Sequence, residues 1–217
     1  MSAEKLFHMR KDYDATPLLR EEMPDDPFLL FKSWFKEAAG KEDIEANAMT
    51  LATVGYDMMP SARVVLLKQF SNDGFVFFTN YNSRKGRQIE ENPNASLLFF
   101  WPISMRQVRI EGTVKKITAE ESDEYFYSRP LESQVTAALS HQSSPLPDRE
   151  EFEQKIMSTL FQTMENASDA VTRPEHWGGY IVEPHSFEFW QGGSNRFHDR
   201  FKYMAIAGGW DIKRLYP

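Results

Sequence analysis

The stretch "AMTLATVGYDMMPSARVVLLKQF", residues 48–70, decides the fold class. Its apolar residues recur with a period of two on both sides of a turn at "GYDMMP". That pattern predicts two strands around a turn, not a helix. "GFVFFTN", after the turn "SNDG", reads as a third strand, and "ASLLFFW" and "MRQVRIEGTVKKI" as the next two. "WGGYIVEP", "SFEFWQGG", "NRFHDRFKYMAI" and "WDIKRLY" read as further strands, the last two joined by "AGG".

Helices flank and interrupt this run. "DDPFLLFKSWFKEAAG" has Asp26 as a cap, Pro27 in its first turn, Gly40 as its end and an apolar face of Phe28, Phe31, Phe35 and Ala38. "SRKGRQIEENP" is a short helix with Ser83 as its cap. "TAEESDEYFYSR" carries a capping box of Thr118 and Glu121. "SQVTAALSHQ" follows, and then "DREEFEQKIMSTLFQTMEN", capped by Asp148 and Glu151, with Phe152, Ile156, Leu160 and Met164 as its apolar face. Strands and helices do not alternate regularly, and no GxGxxG or Walker loop occurs. A parallel Rossmann sheet is therefore disfavoured. The expectation is a mainly β, α+β fold: an antiparallel barrel with helices packed at its edge. Residues 1–25 are polar and aperiodic and are expected to be a mobile arm; residues 26–217 are expected to form one domain.

The bulk numbers agree. The chain has 217 residues, 41% hydrophobic and 14% aromatic, with 17 Phe, which suits a single sizeable β-rich core. Its net charge is −7, which argues against general nucleic-acid binding. No Cys is present, which excludes disulfides, thiolate metal sites and cysteine nucleophiles. The five His show no metal-ligand spacing, so no metal is expected. No secretory leader and no apolar run of about 18 residues occurs, so a cytoplasmic protein without a membrane span is expected.

Against this acidic background, five basic clusters are notable. In "RVVLLK", period two puts Arg63, Val65 and Leu67 on one face and Val64, Leu66 and Lys68 on the other, a cation at each end of a buried middle. Strand ends reaching solvent would also explain it. Arg84 and Lys85 fall in a helix's first turn, where the dipole already disfavours cations; a bound anion would resolve the conflict. In "RQVRIEG", Gln107, Arg109 and Glu111 share one face, and Arg109 can simply pair with Glu111. In "YFYSRPLESQ", Tyr125 and Arg129 share a helix face, and Ser133 is expected to cap the next helix. A phenol, a guanidinium, a hydroxyl and free amides would then suit a phosphate. In "QGGSNRFHDRF", residues 191–201, a continuous strand would set Arg196, His198 and Arg200 on one face. That is unfavourable without an anion nearby, since Asp199 points away with Phe197 and Phe201. Each cluster alone is weak; a solvated charged strand would account for the last one.

In this order, "RVVLLK", "SRKGRQIEENP", "RQVRIEG", "YFYSRPLESQ", "SHQSS", "WGGY", "EFWQGG", "RFHDR" and "WDIKRLYP" resemble the pyridoxine (pyridoxamine) 5′-phosphate oxidase family. The likeness runs from about Arg10 to Pro217. It implies an FMN-binding split β-barrel working as a homodimer, with FMN at the interface. It also implies oxidation of pyridoxine 5′-phosphate or pyridoxamine 5′-phosphate to pyridoxal 5′-phosphate, hydride passing from C4′ to flavin N5 and O2 being reduced to H2O2. By the same resemblance FMN contacts Arg63, Val64, Val65, Leu66, Leu67, Lys68, Phe78, Thr79, Arg84, Lys85, Gln107, Gln142, Ser143, Trp190 and Arg200. The substrate phosphate meets Lys68, Tyr125, Arg129 and Ser133. Arg196 and His198 stand at the reacting carbon, His198 as proton acceptor or as orienter. Arg10 to Tyr13 match a segment that covers bound substrate. Two positions depart from the family: Phe197 replaces the usual Leu and should face away from the ligand, and Thr136 stands where Gly is common and would disturb a close backbone approach. Another split-barrel flavoprotein, or a non-enzymatic carrier of flavin or pyridoxal phosphate, remains the alternative.

Overall fold

The computed structural model describes residues 16–41, 45–165 and 171–217. Helix α1 (Pro27–Lys41) is followed by strands β1 (Ala48–Val54), β2 (Pro60–Leu66), β3 (Gln69–Ser71) and β4 (Gly74–Asn80). Helix α2 (Arg84–Glu91) leads to β5 (Asn94–Trp101) and β6 (Arg106–Lys116). Three helices come next, α3 (Ala119–Ser128), α4 (Leu131–Leu139) and α5 (Arg149–Glu165), and β7 (Trp177–Gln191), β8 (Asp199–Ile206) and β9 (Gly209–Arg214) end the chain. The strands form a nine-stranded sheet of order β2-β1-β5-β6-β7-β4-β3, with β8 between β7 and β9. The pairs β3–β4, β4–β7, β7–β8 and β8–β9 are antiparallel.

The chain divides into two compact units. The first comprises Met1–Thr50, Leu97–Glu111 and Pro184–Pro217; the second comprises Leu51–Ser96 and Gly112–Glu183.

The first unit is built on aromatic contact. Asp26 caps α1 by accepting from the Phe28 amide at 2.9 Å. The α1 face is broader than the sequence suggests: Leu30 and Trp34 are buried beside Phe28, Phe31 and Ala38, while Phe35 is only half-buried. Phe28 meets Phe187 edge-on with centroids 5.2 Å apart, Phe31 meets Phe99 at 5.1 Å, and Trp34 meets Phe189 at 5.3 Å. These edge-to-face geometries satisfy the ring quadrupoles in addition to burying area. Residues 16–25 hold to this unit by backbone contacts. The Leu18 amide donates to Asp199 Oδ2 at 2.9 Å, and Tyr203 Oη donates to the Pro24 carbonyl at 3.0 Å. Arg214 bridges Asp199 and the Leu18 carbonyl.

In the second unit, Phe126, Ala137 and Trp177 form a cluster with Phe78, Tyr125 and Val171 packed against it. The Thr118 capping box of α3 is complete, and Asp148 caps α5 through the Glu151 amide at 3.0 Å. On α5 only Leu160 of the expected apolar face is buried; Met164 is exposed.

Four expectations need correction. The two strands read around Pro184 are one strand, β7: Pro184 falls between the ladder to β4, which ends at Val182, and the ladder to β8, which starts at Ser186. The "NRFHDRF" segment is not strand throughout: Ser194–Arg196 is a 3-10 turn and β8 starts at Asp199. Ser133 does not cap α4; Pro130 occupies that position, and Ser133 lies in the first turn. Thr136 is inside α4 with an exposed side chain, so a β-branched residue meets no close backbone there.

Candidate functional site

In the second unit, a cavity of about 340 Å³ gathers Arg63, Val64, Val65, Leu66, Lys68, Phe78, Thr79, Lys85, Tyr125, Arg129, Gln142 and Trp177. Four of these are cations and none is a carboxylate. In a chain of net charge −7, that is a local inversion of sign. Among the described residues, no ion pair involves Arg63, Lys68, Arg84, Lys85 or Arg129.

Two of these cations, Arg63 and Lys85, are held by neutral acceptors. Arg63 Nη1 donates to Thr53 Oγ1 at 2.6 Å and to the Leu51 carbonyl at 3.1 Å, and its Nη2 donates to Ser61 Oγ. Both hydroxyls donate in turn to Gln88 Oε1 at 2.7 Å, so a buried side chain of α2 braces the arginine of β2. Burial, and then the nearby Arg84, lower the Arg63 pKa. The middle of "RVVLLK" is not buried as expected: Val64 is 67% exposed on the edge strand, and only Leu67 is buried.

Ser83 caps α2 by accepting from the Gly86 amide at 3.3 Å. A Cβ at Gly86 would lie 1.9 Å from the Tyr81 carbonyl oxygen, so glycine is required for the helix to start here. Lys85 in that first turn reaches inward and donates to Gln142 Oε1 at 2.8 Å and Thr79 Oγ1 at 3.2 Å. Burial, with Arg63 adding to it, pulls its pKa down to about 8. The Arg84 amide donates to Ser143 Oγ at 3.2 Å, and Ser143 holds a left-handed φ of 73°. The loop "HQSS" is thereby fastened to the α2 N-terminus.

The opposite wall is aromatic. Tyr125 stacks on Phe78 at 3.9 Å, and the Arg129 guanidinium lies 4.7 Å from the Trp177 ring centroid. Burial lowers the Arg129 pKa, and its Nη1 is buried with no hydrogen-bond partner. An unsatisfied guanidinium donor is costly unless an acceptor arrives. Tyr125 and Arg129 are brought together as expected, although Arg129 is the C-cap of α3 and not part of its helical face. Ser133 is not among the residues lining the cavity.

The first unit holds the remaining candidates. The Gly193 amide donates to His198 Nδ1 at 3.1 Å, and the His198 and Trp190 rings lie 4.9 Å apart. A ring that accepts at Nδ1 carries its proton on Nε2 when neutral. A Cβ at Gly193 would meet the Phe197 carbonyl oxygen at 2.2 Å, so this loop needs glycine. Asn195 and Arg196 have φ of 52° and 62°, a left-handed conformation that costs energy for a side chain such as arginine. Arg196 therefore does not share a strand face with His198 and Arg200. Phe197 is 74% exposed. Gln107 is half-buried on β6, whose Val108 and Ile110 are fully buried. Arg109 does pair with Glu111, at 3.3 Å. Arg200 is not left with like charges alone: Glu188, which sequence reasoning missed, accepts from it. Arg10 and Tyr13 lie outside the described residues.

The second unit's cavity fits a phosphorylated, planar ligand by its own chemistry: cations in no ion pair and an unsatisfied guanidinium donor beside stacked aromatic rings. Comparison with known proteins points the same way. The family model described as pyridoxamine 5′-phosphate oxidase matches residues 36–163, and the one for the pyridoxine 5′-phosphate oxidase C-terminal dimerisation region matches residues 177–217. Relatives named pyridoxine/pyridoxamine 5′-phosphate oxidase include one from Christiangramia forsetii, 44% identical over 98% of this chain and 98% of its own. Another, from Leptospira interrogans, is 48% identical over 98% of this chain and 99% of its own. Among solved structures, PhzG from Burkholderia lata, in complex with tetrahydrophenazine-1-carboxylic acid, superposes with a TM-score of 0.85 at 31% identity, over 93% of this chain and 98% of that one. A pyridoxamine 5′-phosphate oxidase-related, FMN-binding protein from Nostoc punctiforme shares the fold at a TM-score of 0.70 and 16% identity, over 90% of this chain and all of that one (100%).

Proposed function

Since the chain belongs to the pyridoxamine 5′-phosphate oxidase family, we propose that it is an FMN-dependent oxidase acting on pyridoxine 5′-phosphate or pyridoxamine 5′-phosphate, with O2 as electron acceptor. It works as a homodimer with FMN at the interface. The observation that carries this reading is the carboxylate-free cavity lined by Arg63, Lys68, Lys85 and Arg129.

The roles divide by position. Arg84 and Lys85, at the α2 N-terminus, suit the FMN phosphate, where the helix dipole and two cations act together. Arg63, the segment Val64 to Lys68, Phe78, Thr79, Gln142 and Ser143 complete that set in the second unit; Gln107, Trp190 and Arg200 of the first unit are further proposed FMN contacts. Lys68, Tyr125 and Arg129 suit the substrate phosphate; Ser133 is the least supported member, being absent from the cavity lining. Arg10 and Tyr13 would cover the substrate.

FMN supplies the two-electron redox chemistry when bound. The chain's own residues hold the reactants in register, and two phosphate clamps supply proximity. The unpaired Arg129 donor gains an acceptor when a phosphate binds. Arg196, held in a strained backbone conformation, directs its guanidinium to the substrate's polar group. His198 orients the substrate by holding a proton at Nε2, because the Gly193 amide occupies its Nδ1 lone pair. Orienting is therefore favoured over proton acceptance.

The test is a pair of variants read on two scales. Arg196→Ala should lower turnover far more than FMN retention, and Arg84→Ala should do the reverse. Equal loss of both properties in both variants would contradict the assignment. A purified protein that neither contains nor takes up FMN would remove the reading altogether.

A further inference from the structure

Glu188 is a buried carboxylate that serves none of the roles described above. It lies on β7 between Phe187 and Phe189, both fully buried in the aromatic core. Period two turns it to the other face of the strand, the face of Trp190. It is only 4% exposed. Oε1 accepts from Arg200 Nε at 3.0 Å and Arg200 Nη2 at 2.8 Å; Oε2 accepts from Arg109 Nη2 at 2.6 Å. Arg200 Nη1 donates to the Tyr216 carbonyl at 3.0 Å. Three nitrogens of one guanidinium are thereby anchored, which fixes both its plane and its direction. In the β7–β8 register, Arg200 stands directly opposite Trp190.

A buried carboxylate is costly, and two arginines around it offset that cost only with good geometry. An apolar residue would fill a core position at least as well. What the carboxylate adds is a fixed orientation for Arg200 beside Trp190. We propose that Glu188 is a positioning residue for the cofactor: it acts through Arg200 to set how tightly FMN is held. This rests on the assignment of Trp190 and Arg200 to FMN.

The experiment is titration of the full-length apo homodimer with FMN, followed by flavin fluorescence quenching and visible circular dichroism. The proteins are the wild type, Glu188→Gln, Arg200→Gln, their double variant, and Arg109→Gln, which breaks the other half of the same carboxylate's pairing. Glu188→Gln should raise the FMN Kd about tenfold or more, the scale of a lost charged hydrogen bond. The double variant should bind within about twofold of Arg200→Gln, because coupled residues are not additive. Arg109→Gln should stay within about threefold of wild type, the margin for a change that leaves Arg200 paired. The bound-flavin spectrum should change alike in Glu188→Gln and Arg200→Gln and stay unchanged in Arg109→Gln.

The proposal is overturned if Glu188→Gln binds FMN as wild type does, if the two fold-changes multiply in the double variant, or if Arg109→Gln matches Glu188→Gln. Should Glu188→Gln fail to fold, Glu188→Asp keeps the charge but shortens the reach. It must weaken FMN binding, and wild-type affinity in it would equally overturn the proposal. Failure of the wild type itself to bind FMN would strike the underlying assignment, a distinguishable result.

Discussion

Replacing Lys85 by Met should make the apo protein more stable and its cofactor binding weaker. Burial beside Arg63 lowers the Lys85 pKa from 10.5 to about 8. The sign follows directly. A folded-state pKa below the unfolded one means that the charged form is disfavoured by folding. That cost is fully present below pH 8 and is relieved as pH rises from about 8 to 10.5. One unit corresponds to about 1.4 kcal/mol, but the ammonium is partly solvated and donates to Gln142 and Thr79, so about 1 kcal/mol is the net relief expected. Met is flexible enough to occupy the same path. For a chain of this size the apo Tm at pH 7 should rise by about 2–4 °C. Loss of a charged hydrogen bond to phosphate costs about 1.5–3 kcal/mol, which raises the FMN Kd about tenfold to 150-fold. Differential scanning fluorimetry of the apo protein and an FMN titration measure the two effects. A lower apo Tm together with unchanged FMN affinity would refute the reasoning.

Other outcomes follow from the same geometry. FMN affinity should fall as pH rises above about 8, where Lys85 loses its proton in the apo protein, and Lys85→Met should flatten that dependence in titrations across pH. Gly86→Ala forces a Cβ to 1.9 Å from the Tyr81 carbonyl; FMN retention after gel filtration should drop sharply, and preserved retention would contradict the close approach. Phe31→Ala, at a fully buried site, should destabilise the protein by about 3–5 kcal/mol in denaturant titration.

Much of this architecture could be read from residue order. Period two marked β1, β2, β4 and β6, and capping residues Asp26, Ser83, Thr118 and Asp148 marked helix starts, because those signals are local. The conflict of Arg84 and Lys85 with their helix dipole pointed to the second unit's cavity for the same reason. What failed was non-local or depended on backbone geometry. Pro184 suggested a break, but β7 continues across it between its ladders to β4 and β8. The left-handed φ of Asn195 and Arg196 removed Arg196 from the expected strand face. Glu188 and Gln88 lie within quoted motifs and Thr53 in none, but residue order assigned no role to any of them; their roles arise only when Arg200 and Arg63 fold against them. Phe197 and Thr136 drew notice as departures from the family, and both have exposed side chains.

The most direct measurement of the central claim is anaerobic mixing of the FMN-loaded homodimer with pyridoxine 5′-phosphate or pyridoxamine 5′-phosphate. The account predicts that the flavin's visible absorbance bleaches and returns on admitting air, with one pyridoxal 5′-phosphate formed per flavin reduced. Stable bound FMN that neither substrate bleaches would contradict it.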